Sequence, residues 1–242
     1  MIREPAAMAS TIPQVETDEP IYFWREHSSP HGYMSQWYHS PFTCPSTTTT
    51  YKTAEQYMMH RKALLFSDPT IAAQILTTTS PKAQKALGRK VKNFEQKVWE
   101  EERERIVEEG TWLKFRYGVD RGELEGEGVS LRERLVGTGE RELVEASPMD
   151  RIWGIGFTEK RAGEMRDKWG MNLLGKALMK VRERLRAEEV GDGEEDVKKD
   201  GEKEVEKAPE FRAGKDNEVK ENDHHGQDEE ERPKKRTRSG KV

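Results

Sequence analysis

Apolar and polar residues are spaced in several distinct ways along this chain, and each spacing predicts a different element. Ile21-Tyr22-Phe23-Trp24 is a short aromatic and β-branched run suited to a strand. Residues 27–33 contain Ser, Pro and Gly and read as a loop. Residues 37–42 are expected to return as a strand, and residues 47–50 to form an edge strand or a loop. Thr53 is placed to cap a helix, with Gln56 in the capping-box position. That helix runs to Phe66, and Asp68-Pro69 stops it. A short helix over 70–76 follows. Ser80-Pro81 supplies a cap and a first-turn proline for a third helix, ending near Gly88. The longest helical pattern covers residues 94–117, with Val98, Trp99, Ile106, Leu113 and Phe115 as its apolar contacts and Glu and Arg elsewhere. Residues 118–128 are glycine-rich and acidic and read as an exposed loop. Residues 131–135 form a helical piece, and 142–146 fit either a strand or a helix. Asn172 is expected to cap a last helix whose apolar stripe is Leu174, Leu178, Val181 and Leu185. A few short strands with five or six helices predict a helix-rich α+β domain.

Composition shortens the part of the chain that can fold this way. Of 242 residues, 36% are Asp, Glu, Lys or Arg, and the mean hydropathy is −1.01. The excess lies after Ala187, where Phe211 is the only aromatic residue. Such a stretch buries too little apolar surface to offset its ordering entropy, so 188–242 is expected to be a disordered charged tail. Residues 1–20 hold three prolines and no periodicity and are expected to be a loose arm. One domain, 21–187, remains, near the usual domain size.

Charge and cysteine usage narrow the class of protein. A net charge of −4 argues against a generally nucleic-acid-coating surface. The single cysteine, Cys44, excludes an intramolecular disulfide and fits a reducing compartment. With no long apolar run and no signal peptide, a cytoplasmic protein is expected. The Lys234-Lys235-Arg236 cluster offers a nuclear address, against the plainer reading of a solvated charge run.

The helix from Thr53 carries the first candidate chemistry. Advancing by 100° per residue puts Glu55, Met58, Met59, Lys62, Leu65 and Phe66 on one side. Charged groups in an apolar stripe are costly unless paired or at a working site. A competing stripe through Ala54, Tyr57, Arg61 and Leu64 leaves open which side is the core. The second cluster is Ser147-Pro148-Met149-Asp150 followed by Trp153-Gly154-Ile155-Gly156. Here Gly154 would let backbone approach a ligand, the Trp153 indole would stack on a base or ribose, and Asp150 would bond a ribose hydroxyl or face a developing charge. Otherwise the segment is a turn with Trp153 in the core. Asn172 begins a helix whose free N–H groups suit an anion, with Gly175 permitting close approach. Gly175 is also readable as a packing glycine. The guanidinium of Arg89 suits bidentate phosphate binding. Trp37 is a candidate pocket wall or a core residue. The six histidines and Cys44 show no metal-ligand spacing, and no Walker loop, dinucleotide fingerprint or nucleophile elbow is present.

Taken in order, five segments resemble one family. They are Ser35-Gln36-Trp37-Tyr38, the stretch from Tyr51 to Tyr57, Gly88-Arg89, the stretch from Glu145 to Gly156, and the stretch from Asn172 to Met179. Together they resemble the NADAR, or YbiA-like, family across roughly residues 21–187. The resemblance implies a single helix-rich α+β domain that hydrolyses N-glycosidic bonds. It implies a site in which Glu55 and Lys62 match the family's Glu and a Lys seven residues on, with Arg89, Trp99 and the segments holding Asp150 and Asn172. Where the family often has His after that Glu, this chain has Gln56, which removes any role needing imidazole there. Two substrate types are associated with such domains: phosphorylated intermediates of riboflavin biosynthesis, and ADP-ribose attached to guanine. In both, a C–N bond at a ribose anomeric carbon breaks through an oxocarbenium-like state that Glu55 or Asp150 would stabilise. Alternatively, Lys62 would attack the ring-opened sugar to form a Schiff base. The implied partner is a small-molecule or nucleic-acid-linked ADP-ribosyl substrate or a riboflavin intermediate, with no cofactor, metal or membrane, and the domain is expected to be a monomer. The alternative is a non-catalytic module that binds ADP-ribose or NAD. A third reading, nucleic-acid binding through the basic terminus, predicts steep salt dependence.

Overall fold

The helix expected after Thr53, α1 (Ala54–Leu65), is buried on almost every side. Residues 54–60 are all buried, so the first two turns of both competing stripes are inside; farther along, Arg61 and Lys62 are half-buried and Leu64 is exposed. The computed structural model describes residues 19–119 and 129–195. The expected arm falls outside these residues except for its last two positions, as does most of the acidic loop.

Local chemistry sets where α1 begins. Thr53 Oγ1 accepts the Gln56 N–H at 3.1 Å, as predicted. The return half of the capping box is shifted: Gln56 Oε1 accepts from the Lys52 N–H at 2.7 Å. Its Nε2 donates to the carbonyls of Ile75, Leu76 and Thr78, capping the C-terminus of α2 (Pro69–Thr77). Gln56 is therefore a structural clamp between two helices. Ser80 caps α3 (Pro81–Gly88), which begins with its predicted proline. The long helix α4 (Gln96–Tyr117) starts two residues later than expected, because Phe94 packs edge-on against Phe66 at 5.1 Å instead. Helix α1 packs against α2, α3 and α4.

Strand β1 (Ile21–Phe23) pairs in parallel with β4 (Leu143–Glu145), which settles the ambiguous stretch as a strand. In that register Phe23 faces Glu145. Strands β2 (Phe42–Thr43) and β3 (Thr50–Tyr51) form an antiparallel pair. The strand expected over 37–42 is otherwise absent. Lys114, buried on α4, turns the preceding backbone inward, its Nζ donating to the carbonyls of Tyr33 at 2.6 Å and Ser35 at 2.8 Å. The chain then turns rather than extends, with the Tyr38 N–H on the Ser35 carbonyl at 3.2 Å and the Gln36 carbonyl taken by the Glu55 N–H at 3.0 Å.

After α5 (Leu131–Val136), β4 and the short α6 (Glu159–Ala162), the last helix α7 (Leu173–Glu195) closes the domain over α4, α5 and β4. Its expected stripe of Leu174, Leu178, Val181 and Leu185 is fully buried. The helix runs beyond the boundary expected at 187. Glu188 pairs with Arg116 at 3.1 Å and Arg132 at 3.2 Å, which ties this turn to α4 and α5. Among the described residues, no helix is long and apolar enough to cross a membrane.

Candidate active site

The N-terminal turn of α1 forms one wall of a cavity of about 620 Å³. Glu55 projects into it and is itself 3% exposed. Its N–H donates to the Gln36 carbonyl at 3.0 Å, and the Trp37 indole bonds its carboxyl. The turn that Lys114 holds thus delivers Trp37 to Glu55. Helix α3 is fastened to the same corner, since Thr53 Oγ1 donates to Gln84 Oε1 at 3.3 Å. That attachment sets Lys85 and Arg89 on the cavity wall. Lys62, two turns along α1 from Glu55, lies farther along the cavity. Its ammonium sits 4.2 Å from the centroid of the Phe94 ring and 5.3 Å from that of Trp99, and it forms no ion pair with Glu55.

The opposite wall is the end of β4 and the loop after it. Glu145, Ser147, Met149, Asp150 and Trp153 line the cavity there. Asp150 Oδ1 accepts the N–H groups of Ile152 at 2.9 Å and Trp153 at 2.8 Å, a turn that fixes the indole's approach. Met149 is 91% exposed at the rim. Trp24 and His27, after β1, complete the mouth.

Three carboxyl groups therefore converge, facing three cations. Burial pushes the Glu55 carboxyl up to about 7; Lys85, the Trp37 bond and Arg89 pull it down, and Asp150 pushes it further up. Glu145 is pushed up to about 8 by burial, then by Asp150 and Glu55, with Lys85 opposing. The Lys62 amine is lowered by burial and by Arg89. Glu55 Oε1 and Glu145 Oε2 are shielded from solvent and have no hydrogen-bond partner. Carboxyls this desolvated are costly and cluster at working sites.

Of the residues singled out from the sequence, Trp37, Glu55, Lys62, Arg89, Trp99, Ser147, Asp150 and Trp153 all line this cavity. Gly154, Asn172 and Gly175 do not, and each has a packing role. A Cβ on Gly154 would sit 2.6 Å from the Glu145 carbonyl oxygen, so this glycine lets the loop fold back onto β4. The expected side-chain cap at Asn172 is not made. Its φ is +50°, a left-handed position that asparagine tolerates. Its Oδ1 accepts the Glu145 N–H at 3.0 Å, and its Nδ2 donates to the Leu143 carbonyl at 2.9 Å. The N–H groups of Leu173 and Leu174 are taken by the carbonyls of Ile152 and Trp153, both at 3.1 Å. This helix start is already occupied, which removes it as a phosphate site. A Cβ on Gly175 would meet the Leu143 carbonyl oxygen at 2.1 Å, so its packing reading holds.

Sequence reasoning missed Lys85 and Glu145. Lys85, Gly88 and Arg89 share one face of α3 at helical spacing, which is a usable signal. Glu145 directly follows the apolar pair Leu143-Val144 at the end of a strand, where a charge is out of place. Among the described residues, no group of three or more His, Cys, Asp or Glu could hold a metal ion.

Comparisons with known proteins agree on one relationship. The sequence model of the NADAR domain matches residues 22–186. An N-glycosidase of Acanthamoeba polyphaga mimivirus is 39% identical over 176 residues, covering 70% of this chain and 98% of the viral protein. An N-glycosidase of Nostoc punctiforme is 32% identical over 166 residues, covering 69% of this chain and 92% of its own length. The NMR structure of the E. coli protein YbiA is similar with a TM-score of 0.57 at 26% identity, covering 74% of this chain and 92% of that one.

Proposed function

The chain belongs to the NADAR family, and from that premise we propose that it is an N-glycosidase, cleaving the bond between a ribose anomeric carbon and nitrogen. The observation that carries this reading is the meeting of Glu55, Glu145 and Asp150 with Lys62, Lys85 and Arg89 in one indole-walled cavity. Each part has a chemical use. Arg89 and Lys85 suit a phosphate, whose charge they would balance. Trp37 and Trp153 offer flat faces to a base or a ribose. The Glu55 carboxylate would stabilise positive charge developing at the anomeric carbon, an effect that grows in a desolvated site.

The substrate class is a phosphate-bearing N-riboside. The two candidates are ADP-ribose linked to guanine and a phosphorylated riboflavin-biosynthesis intermediate. Incubation of the protein with ADP-ribosylated guanosine and, separately, with the riboflavin intermediates, followed by mass spectrometry, tests this. Release of the free base or amine with its ribose partner is the expected result. Recovery of both compounds intact would refute it.

One observation favours the Schiff-base variant of the same reaction. The Lys62 amine lines the cavity and is shifted toward its neutral, nucleophilic form by burial. The non-catalytic alternative gains nothing comparable. A module that only binds ADP-ribose or NAD needs the cations and the indoles, but has no use for two desolvated carboxyls. The basic cluster of the nucleic-acid reading lies outside the described residues.

A further inference from the structure

An N-glycosidic bond breaks at a useful rate only if the departing nitrogen receives a proton, and the three carboxyls of this cavity are not equally able to give one. We propose that Glu145 is the acid that protonates the leaving nitrogen, an assignment that rests on the N-glycosidase reading. Hydrogen bonding sets Asp150 apart, since its Oδ1 receives two backbone N–H bonds. Glu55 Oε1 and Glu145 Oε2 are both shielded from solvent and without a partner, so these two buried carboxyls are told apart by the charges around them.

Around Glu55, Lys85 and Arg89 favour the charged form and Asp150 opposes it. Glu145 is pushed up to about 8 by burial and then by Asp150 from the following loop and Glu55 from α1, with Lys85 from α3 opposing. A proton held between these two buried carboxyls therefore rests on Glu145, which faces two carboxyls and one cation, rather than on Glu55, which faces two cations and one carboxyl. That division between a proton donor and a charge-stabilising neighbour is the one that glycoside hydrolysis requires.

The backbone under Glu145 is also rigid. Its N–H is held by Asn172 Oδ1 at 3.0 Å, and its carbonyl accepts the Ile155 N–H at 3.0 Å. The next N–H, of Ala146, donates to Phe23 at 2.8 Å. A donor fixed this way can meet one atom of a bound substrate repeatedly.

The step balances without any further reagent. The C1′–N bond breaks with its electron pair going to nitrogen, which takes the Glu145 proton and departs as the free amine. Water bonds C1′ and gives one proton to the Glu55 carboxylate, and exchange with solvent returns both carboxyls to their starting states. Net hydrolysis consumes one water.

The test uses the full chain, with ADP-ribosylated guanosine and the phosphorylated riboflavin intermediates as probes. Glu145→Gln keeps the shape and removes the acid. We expect kcat to fall about 100- to 10,000-fold, with KM changed less than about threefold. The wild-type decline in kcat above about pH 8, where Glu145 ionises, should vanish from the variant's profile. If the amide variant does not melt cooperatively, Glu145→Asp should keep the alkaline decline while lowering kcat through its shorter reach. A Glu145→Gln enzyme with near-normal kcat, or an unchanged alkaline decline, overturns the assignment and leaves the N-glycosidase reading standing. A wild-type protein that cleaves none of the probes overturns both.

Discussion

Replacing Glu55 with Gln should make this protein more stable and less active, and the gain in stability should depend on pH. The folded-state carboxyl sits near 7 against an ordinary 4.5. The folded protein therefore holds this proton more tightly than the unfolded chain does, and stability is lost as pH rises from about 4.5 to about 7. Each unit of difference corresponds to about 1.4 kcal/mol, so burying this carboxyl costs roughly 3 kcal/mol at pH 8, where it must ionise, and about 1 kcal/mol at pH 5, where only the unfolded chain ionises. An amide has no such cost, though it leaves one polar atom unpartnered where Oε1 is now. For a domain of this size, about 3 kcal/mol corresponds to a Tm shift of roughly 6–12 °C. The assay is a pair of thermal melts, wild type against Glu55→Gln, at pH 5 and pH 8. The gap in favour of the variant should widen at the higher pH, while kcat drops by about 100- to 1,000-fold with the charge that stabilises the transition state. A variant that is less stable than wild type at pH 8, or a gap indifferent to pH, would refute the claim that burial dominates this carboxyl.

Arg89→Ala should raise KM about 10- to 150-fold with a smaller change in kcat, because one charge-assisted bond to phosphate is worth about 1.5–3 kcal/mol; steady-state kinetics showing an unchanged KM would remove Arg89 from binding. If Lys62 is the nucleophile, borohydride added during turnover should trap a covalent adduct on it that Lys62→Ala abolishes, read by peptide mass spectrometry. Full turnover by Lys62→Ala would restrict this lysine to packing between Phe94 and Trp99. A chain ending at Glu195 should melt like the full-length protein and keep its activity, whereas one ending at Ala187 loses the Glu188 bridges. At about 0–1 kcal/mol for each partly exposed pair, that loss should lower Tm by a few degrees. Equal melts for the two truncated chains would show the last turns of α7 to be dispensable.

What could be read from the sequence was what short range decides. The caps at Thr53 and Ser80 involve groups within three residues of each other, and the apolar stripe of α7 needs only helical spacing. Glu55 and Lys62 were legible as misplaced charges on one helix. What escaped depends on distant partners. The segment after Ser35 turns rather than extends, held by the Lys114 ammonium on the carbonyls before it and by the Glu55 N–H on Gln36. Asn172 looked like a helix cap because its residue type suits one, yet its amide bonds a strand nearly thirty positions earlier. Glu145 was passed over because a glutamate in a short ambiguous run is ordinarily a surface residue. Only pairing with β1 and cover from α7 make it an interior acid.

The parallel pairing of β1 with β4 also bears on how this site comes into existence during folding. Everything from α1 to α5 lies between the two strands in sequence, so their pairing closes a very long loop. Contacts between such remote segments form late, after local helices and their neighbours. Glu55, Trp37, Lys85 and Arg89 belong to one stretch that can condense around α1 early, while Glu145 meets them only when that loop closes. Closure also involves α7, whose first residues hold β4 and the indole loop in place. A chain cut before Asn172 is therefore expected to lack the Glu145 wall of the cavity even where the α1 cluster forms, so that the site depends on the last helix in sequence.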